Sequence, residues 1–593
     1  MKRSRPFVHA LALAVLAGAC HPAPPPRQPP PEAYEYQPTP QEQQLAIKDF
    51  KAYARKFLDW YYTAHPVRAT ELGIHAGDGQ LPDRSREGVR NEINALLDWL
   101  QKQEDLEPGM LDMPDQIDFR IIEYAIRAEL LDLEEIRLWE HQPGFYVDVV
   151  SRGITALMAG DSASRTTRMR NAAARLESVP DMLTAARENL SVVPAPWARV
   201  AARDARTTAA YLHARVSAAF HADDAGPLLT GQFDGALDRA AAALDAYADW
   251  LDSSVLPHAT GDYHLGRYIF LREIQYREHV QLSADEMARL STDAINDLRT
   301  QLQKVATEID PGRTPREILD SLAADTSGAG DPVSAAQADL NAARNFVTSR
   351  QLVPLPADLP IVRAMPADLP PSSAGLQMHG PLDTTGLPAY LDVPRDLSPI
   401  ALRLFVIRTT MPGAFVQRQY VGEAESEVRR VFQPRSLREG WARYAEQLMV
   451  DEGFATTDPG LRLMELQRAL ERQALWQATV RVHAFNASID GAADSLPELA
   501  YIDADSARRE VTRATYEPAY FSEALGRPQL IELRRAYRSY LDANNDTKGT
   551  FSLASFHEKF LKLGLPAPLA GRLLMPRRRR ATSRNRRGPW PPR

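Results

Sequence analysis

From about Leu45 onward, apolar residues return every three or four positions, and this rhythm recurs along almost the whole chain. Ile47, Phe50, Ala54, Phe57, Leu58 and Tyr61 fall on one helical face. The stretches 88–103, 115–140, 163–190, 197–221, 233–254, 283–307 and 333–349 repeat the pattern, and Pro66, Pro180, Pro194, Pro196 and Pro257 punctuate it. Alanine runs such as Ala240–Ala243 call for closely packed helices. No fixed-period repeat is present, which argues against a solenoid. The fold predicted is therefore mainly α: one large multi-helix domain over 45–575, with an N-terminal lobe at about 45–350 and a C-terminal lobe at about 351–575. Residues 354–399 break the rhythm with ten prolines. Their short apolar pieces, Pro360-Ile-Val-Arg363 and Ala389-Tyr-Leu-Asp-Val393, are expected to form a small β or irregular insertion.

The formal charge of −7 hides a split. Residues 1–19 carry +3 and residues 577–593 carry +8, so residues 20–576 sum to −7 − 3 − 8 = −18. A body this acidic is a poor nucleic-acid binder. The Arg-rich end, 576–593, lacks apolar periodicity and is expected to be disordered. It reads either as a contact for polyanions or anionic lipid, or as an extension without a role, and the second is preferred.

Cys20 is the only cysteine, so no internal disulfide can form. Met-Lys-Arg-Ser-Arg opens the chain, and an apolar run to Ala19 follows, the grammar of a signal peptide over 1–19 and too short to span a bilayer. Leu16-Ala17-Gly18-Ala19-Cys20 resembles a bacterial lipobox with its Leu one step early. Lipidation of Cys20 is expected, followed by a proline-rich tether over 20–44 with nine prolines between 21 and 40. His21 is not the aspartate of inner-membrane retention, so a lipid-anchored place in the cell envelope is expected, at the outer membrane facing the periplasm.

Catalytic motifs are scarce. No two of the 13 histidines lie three, four or five residues apart, as zinc on a helix needs. Gly160-Asp-Ser-Ala-Ser164 is not a nucleophile elbow, no Ser-x-x-Lys occurs, and no phosphate-binding glycine loop is present. Asp542-Ala-Asn-Asn-Asp546 starts like a calcium loop but has Thr547 and Leu553 where Gly and Glu are required. It reads as a turn before a helix.

The stretch Arg438-Glu-Gly-Trp-Ala-Arg-Tyr-Ala-Glu446 resembles the Glu-Gly-Trp-Ala-x-Tyr-Ala-Glu signature of the bacterial family called domain of unknown function 885, DUF885. Pro66–His75, Leu81-Pro-Asp83, Arg170–Pro180, Gly261–Gly266, Glu510-Val-x-Arg513, Phe556-His557 and Gly564-Leu-Pro566 match it in order, so the resemblance covers about 45–575. It implies a helical, zinc-metallopeptidase-like fold. Many members carry His-Glu-x-x-Pro-Gly-His before that signature. Here the equivalent is Arg408-Thr409-Thr-Met-Pro412-Gly413-Ala414, with Gln417 beyond. Arg408 and Ala414 stand for the two histidines, Thr409 for the glutamate, and Glu439 holds the third ligand position. Arginine has no lone pair for a metal and Thr409 cannot act as a carboxylate base. Near Gly526, Glu523-Ala524 replaces an expected Tyr-Lys, and Ala514 follows Arg513 where Tyr is common.

No cofactor and no metal are therefore expected, although relatives imply zinc. The cleft is expected to include Arg408, Gln417, Glu439, Trp441, Tyr444, Glu446, His483 and Arg513, although core packing is the preferred reading of Trp441 and Tyr444. Arg408 is expected to pair with Glu439 where the metal would sit. The preferred function is an inactive peptidase-like lipoprotein that binds peptides. The alternatives are an active peptidase with dispersed ligands (His379, Glu439, Glu446, His483) and a structural lipoprotein without ligand.

Overall fold

The computed structural model describes residues 38–158, 163–221, 225–325, 330–366, 375–454, 456–544 and 549–576. The signal peptide, Cys20, the bulk of the tether and the tail from Arg577 lie outside the described residues.

The first helix, α1 (Pro40–Ala64), begins inside the stretch assigned to the tether. Thr39-Pro40-Gln41-Glu42 is a capping box: the Thr39 hydroxyl accepts the Glu42 N–H at 3.3 Å, and the Glu42 carboxylate accepts the Thr39 N–H at 2.7 Å. Pro40, counted with the tether, occupies the first helical position, where its fixed φ suits a helix and its missing N–H costs nothing. The same logic places Pro66, Pro180 and Pro196 at helix starts.

Most periodic stretches are helices, and two of them divide. Residues 115–140 are α2 (Met113–Leu130), a π turn (Leu131–Glu135) and a short helix from Leu138, with Arg137 left-handed at φ 56° between them. Residues 163–190 split into α3 (Arg165–Glu177) and a helix over Val179–Asn189, because Pro180 restarts the chain. Next come α4 (Ala195–Tyr211) and α5 (Gly226–Trp250). Their alanines Ala201, Ala205, Ala240 and Ala241 are buried between them, so the backbones pack closely as the composition requires. α6 (Gly266–Glu278) and α7 (Ala284–Ile309) follow, and helices over Pro315–Ala324 and Pro332–Ser349 complete this half.

The insertion is a three-stranded sheet: β1 (Ile361–Ala364), β2 (Gly375–Gln377) and β3 (Tyr390–Val393), in the order β1-β3-β2. β1 runs parallel to β3 with Ile361 opposite Tyr390, and β2 runs antiparallel to it. Both expected apolar pieces are strands.

Helices then resume as α8 (Pro399–Thr409), α9 (Ala414–Gly422), α10 (Arg435–Asp451), α11 (Pro459–Phe485), α12 (Glu523–Asp542) and α13 (Leu553–Leu563). The stretch Pro399–Gly422 is long and apolar enough by composition to cross a membrane, but most of it is buried. It is the interior hairpin of α8 and α9.

The main apolar core joins both ends of the chain, from Phe50 to Ala570. Phe57 and Tyr61 of α1 pack against Phe432, with Tyr61 edge-on at 5.0 Å between centroids. Arg429 carries the same junction in polar form, its Nε donating to Asp118 of α2 at 2.5 Å and its Nη2 to the Pro114 carbonyl at 3.0 Å. A second core lies between α7 and α11. Arg175 is fully buried and, among the described residues, has no carboxylate at ion-pair distance. It donates to the carbonyls of Gln80 (3.0 Å) and Gly153 and to the Thr70 hydroxyl (2.7 Å).

Candidate functional site

α8 ends at Thr409, and a turn through Met411-Pro412-Gly413, with a cis peptide before Pro412, leads into α9. Gly413 is held where no side chain fits: a Cβ there would lie 2.0 Å from the Arg408 carbonyl oxygen. Trp441 of α10 fastens this turn, its indole N–H donating to the carbonyls of Pro412 (2.8 Å) and Gly413 (3.2 Å). Trp441 is thus a buried core residue that uses its polar edge to fix the degenerate motif.

Tyr444 is also core. Its hydroxyl donates to His557 Nε2 at 2.7 Å and accepts from Arg534 Nη1 at 3.0 Å, while His557 Nδ1 donates to the Leu352 carbonyl at 2.6 Å. Burial pushes the His557 imidazole down to about 4, so it is neutral and serves as an acceptor. His483 is fully buried in α11, donating to the Ala514 carbonyl at 2.9 Å and stacked on Phe270. Burial pushes it down to about 4 as well. His379 sits elsewhere, 3.1 Å from Asp383 beside His75. The dispersed ligands are therefore not gathered, and among the described residues no group of three or more His, Cys, Asp or Glu side chains is arranged to hold a metal ion.

The expected Arg408–Glu439 pair does not form. Arg408, with 28% of its side chain exposed, reaches Glu446 at 4.0 Å instead, and no contact within 4.0 Å joins it to Glu439 among the described residues. The reason is the pitch of α10. Arg435, Glu439, Arg443 and Glu446 step by four, four and three along one face, and the end of α8 meets that face nearer Glu446.

Glu446 is the acidic centre of this face. Buried to 2% exposure, it lies 2.9 Å from Arg443, 3.6 Å from Arg468 and 4.0 Å from Arg408. Glu523 at the start of α12 is shared in the same way by Arg435 (3.8 Å), Arg443 (3.9 Å) and Arg472 (3.8 Å). Arg435 and Arg513 flank the Tyr520 ring at 4.3 and 4.7 Å from its centroid. Gln417 is buried in α9 and donates to Gln433 at 3.3 Å. Thr409 is buried, its hydroxyl turned back onto the Phe405 carbonyl at 2.5 Å.

Glu439 itself lies in a field of cations. Burial alone would raise its carboxyl, but Arg438, Arg435, Arg408 and Arg418 outweigh burial and hold it below the ordinary value. Arg418 of α9 and Arg438 of α10 make no side-chain hydrogen bond or ion pair among the described residues. The Nε atoms of Arg408, Arg435 and Arg438 are buried and make no hydrogen bond among the described residues. Burial pushes Arg438 down to about 10. Sequence reasoning passed over Arg418, Arg435 and Arg438. Their signal was Arg435 and Arg438, three apart and both just ahead of the glutamate already singled out.

Two cavities adjoin at the far end of this face. One, of about 520 Å³, is lined by Arg443, Glu446, Arg472, Glu523 and Arg527. The other, of about 1090 Å³, is mostly apolar, with Met287, Leu525, Leu533 and Met575. They share Ala294, Gln473, Ala524, Pro528 and Glu532. α10 and α12, which hold the walls, cross at bare backbone: a Cβ on Gly440 would lie 2.8 Å from Gly526 Cα, and one on Gly526 would lie 2.0 Å from the Ser436 carbonyl oxygen.

A family model described as a bacterial protein of unknown function, DUF885, matches residues 66–570. Among solved structures, a candidate lipoprotein of unknown function from Shewanella oneidensis superposes with a TM-score of 0.73 at 20% identity, covering 88% of this chain and 99% of that one. A candidate lipoprotein from Colwellia psychrerythraea gives 0.69 at 14% identity, covering 90% and 98%. At these identities the shared property is the fold. No curated protein matches.

Proposed function

The chain belongs to the bacterial family DUF885, and from that premise we propose that it is an envelope-anchored, non-catalytic binding protein whose cleft takes a peptide-like ligand. One observation carries the reading: the positions that would supply imidazoles and a carboxylate base to a divalent metal are Arg408, Thr409 and Ala414, and Glu439 faces guanidiniums. This donor set does not fit zinc. A guanidinium offers no lone pair, Thr409 spends its hydroxyl on its own helix, and a ring of cations repels a divalent ion.

The two adjoining cavities support the ligand class. One end is charged and the other apolar, which suits an extended chain with mixed side chains better than a small metabolite. Anchoring rests on the signal grammar and Cys20, and both structural relatives are described as candidate lipoproteins. The placement proposed is at the outer membrane, facing the periplasm.

The test is metal content and peptidase activity of the full chain purified in detergent. Less than about 0.1 zinc per chain after zinc loading, and no cleavage of a mixed peptide library, is the expected result. About one zinc per chain, as a catalytic site holds, with chelator-sensitive cleavage, would overturn the reading.

A further inference from the structure

The wall shared by the charged and the apolar cavity carries two polar groups without their usual partners. Gln473 of α11 is buried to 8% exposure and lines both cavities, yet its side-chain amide makes no hydrogen bond among the described residues. On the same shared wall, Pro528 interrupts the hydrogen-bond ladder of α12. Proline has no N–H, so the carbonyl of Ala524, four residues back, loses its helical donor. Ala524 also lines both cavities. Buried polar groups are costly to leave unbonded. Together these two offer N–H and C=O groups of the side-chain amide and one backbone carbonyl, the complement of a secondary amide.

What lies on either side of that wall differs in chemistry. The apolar cavity, about 1090 Å³, includes Met287, Leu525, Leu533 and Met575, and the exposed Met113 and Leu290 mark its open side. Two of its polar side chains are already spent: Ser291 donates to the Met287 carbonyl and Gln116 to the Leu111 carbonyl, each at 2.8 Å. A peptide main chain entering this cavity would leave its own N–H and C=O groups short of partners. A hydrocarbon chain has none to satisfy, and flexible methionines adapt to it. The charged cavity presents both signs. Its Glu523 reaches Arg443 at 3.9 Å and Arg472 at 3.8 Å, longer than a hydrogen bond, so carboxylate and guanidiniums alike keep bonding capacity for a ligand.

We propose that this chamber takes an N-acylated peptide, with the acyl chain in the apolar cavity, the amide that joins it to the peptide at Gln473 and the Ala524 carbonyl, and charged residues of the peptide beside Glu523 and Arg472. The inference rests on the peptide-binding reading above and sharpens it, because it puts a hydrocarbon at one end of the ligand and fixes where the amide sits.

The test is photo-cross-linking to the full chain in phosphatidylcholine vesicles. The probe is N-palmitoyl-Lys-Glu with a diazirine near the end of its acyl chain, and labelled residues are read by mass spectrometry. Labelling is expected on α7 around Met287 and Leu290 and on α12 around Leu525 and Leu533. Unlabelled N-palmitoyl-Lys-Glu should displace the probe about tenfold better than the analogue with an ester oxygen in place of the acyl amide N–H. Both compounds carry the same chain, so partition into the vesicle cancels in that comparison. Gln473→Leu removes the side-chain amide and Pro528→Ala returns a donor to the Ala524 carbonyl. Each should fold with a Tm no lower than wild type and lose about tenfold in probe affinity. Labelling confined to residues 1–44, equal displacement by amide and ester, or two folded variants that label like wild type would overturn the site. Displacement by phosphatidylethanolamine as effective as by the acyl peptide would assign a lipid and overturn the peptide half of the inference. Displacement by N-acetyl-Lys-Glu as effective as by the palmitoyl form would overturn the acyl half and leave the peptide reading standing. Stoichiometric zinc with peptide cleavage in the same preparation would instead remove the function on which the inference rests.

Discussion

Replacing Glu439 with Gln should destabilise the protein, because it removes a charge that the surrounding arginines favour. Four arginines act on the Glu439 carboxylate from beyond 4 Å. At an effective dielectric of about 20, a unit pair 6–8 Å apart is worth about 2–3 kcal/mol, so four sum to about 8–12 kcal/mol. Desolvation of the carboxylate takes back several kcal/mol, and partial exposure screens the rest, leaving about 2–4 kcal/mol net. Urea unfolding at pH 7 should report that loss. The pH dependence follows from the depressed carboxyl. Its stabilisation is full above the unfolded value of 4.5 and is lost as pH falls through the folded value, so the gap between wild type and E439Q should begin to narrow below about pH 4.5 and go on narrowing toward lower pH. An E439Q protein as stable as wild type at pH 7, or a gap that does not narrow as pH falls below 4.5, would refute the claim that Glu439 is held by surrounding cations.

Other expectations follow from the same structure. Arg429→Met strands the buried Asp118 carboxylate at the junction of the two ends of the chain, and should cost about 3–5 kcal/mol in urea unfolding; a loss below 1 kcal/mol would show that the junction does not depend on the pair. Arg175→Met removes the buried donor to the Gln80 and Gly153 carbonyls and the Thr70 hydroxyl and should cost about 2–4 kcal/mol by the same measurement. Trp441→Phe removes the donor to the Pro412 and Gly413 carbonyls and should cost about 1–3 kcal/mol, with faster amide hydrogen exchange centred on residues 409–414. His557 and His483 are both pushed down to about 4, so they favour the fold above pH 6.5 and withdraw that support as pH falls toward 4. His557→Gln should therefore flatten the stability profile between those limits.

Much of this architecture is legible from residues alone, for identifiable reasons. Ile361–Ala364 and Tyr390–Val393 can be read as strands because prolines fence short β-branched or aromatic pieces on both sides. Helix starts can be read from Pro66 and Pro196 for the same stereochemical reason that misassigned Pro40, whose Thr39–Glu42 box marks a helix within a run of prolines. The break at Arg137 is hidden because apolar spacing continues across it, whereas Pro180 marks the one at Ser178. At the site, the motif positions can be located along the chain, but which turn of α10 meets Arg408 depends on how the helices cross. Glu446 lies seven residues beyond Glu439 on the same face, and only packing chooses between them. His483 has the residue type of a ligand and the surroundings of a core side chain, a distinction made by Ala514 and Phe270 and not by spacing.

Gly440 and Gly526 let the two wall helices touch backbone to backbone. That contact works as a mechanical stop: it fixes the width of the chamber independently of whatever side chains furnish it. The side chains that line it could change without disturbing the frame, because the frame is gauged by two absent methyl groups. A single methyl at either position would wedge the walls apart and shift every side chain of the chamber at once.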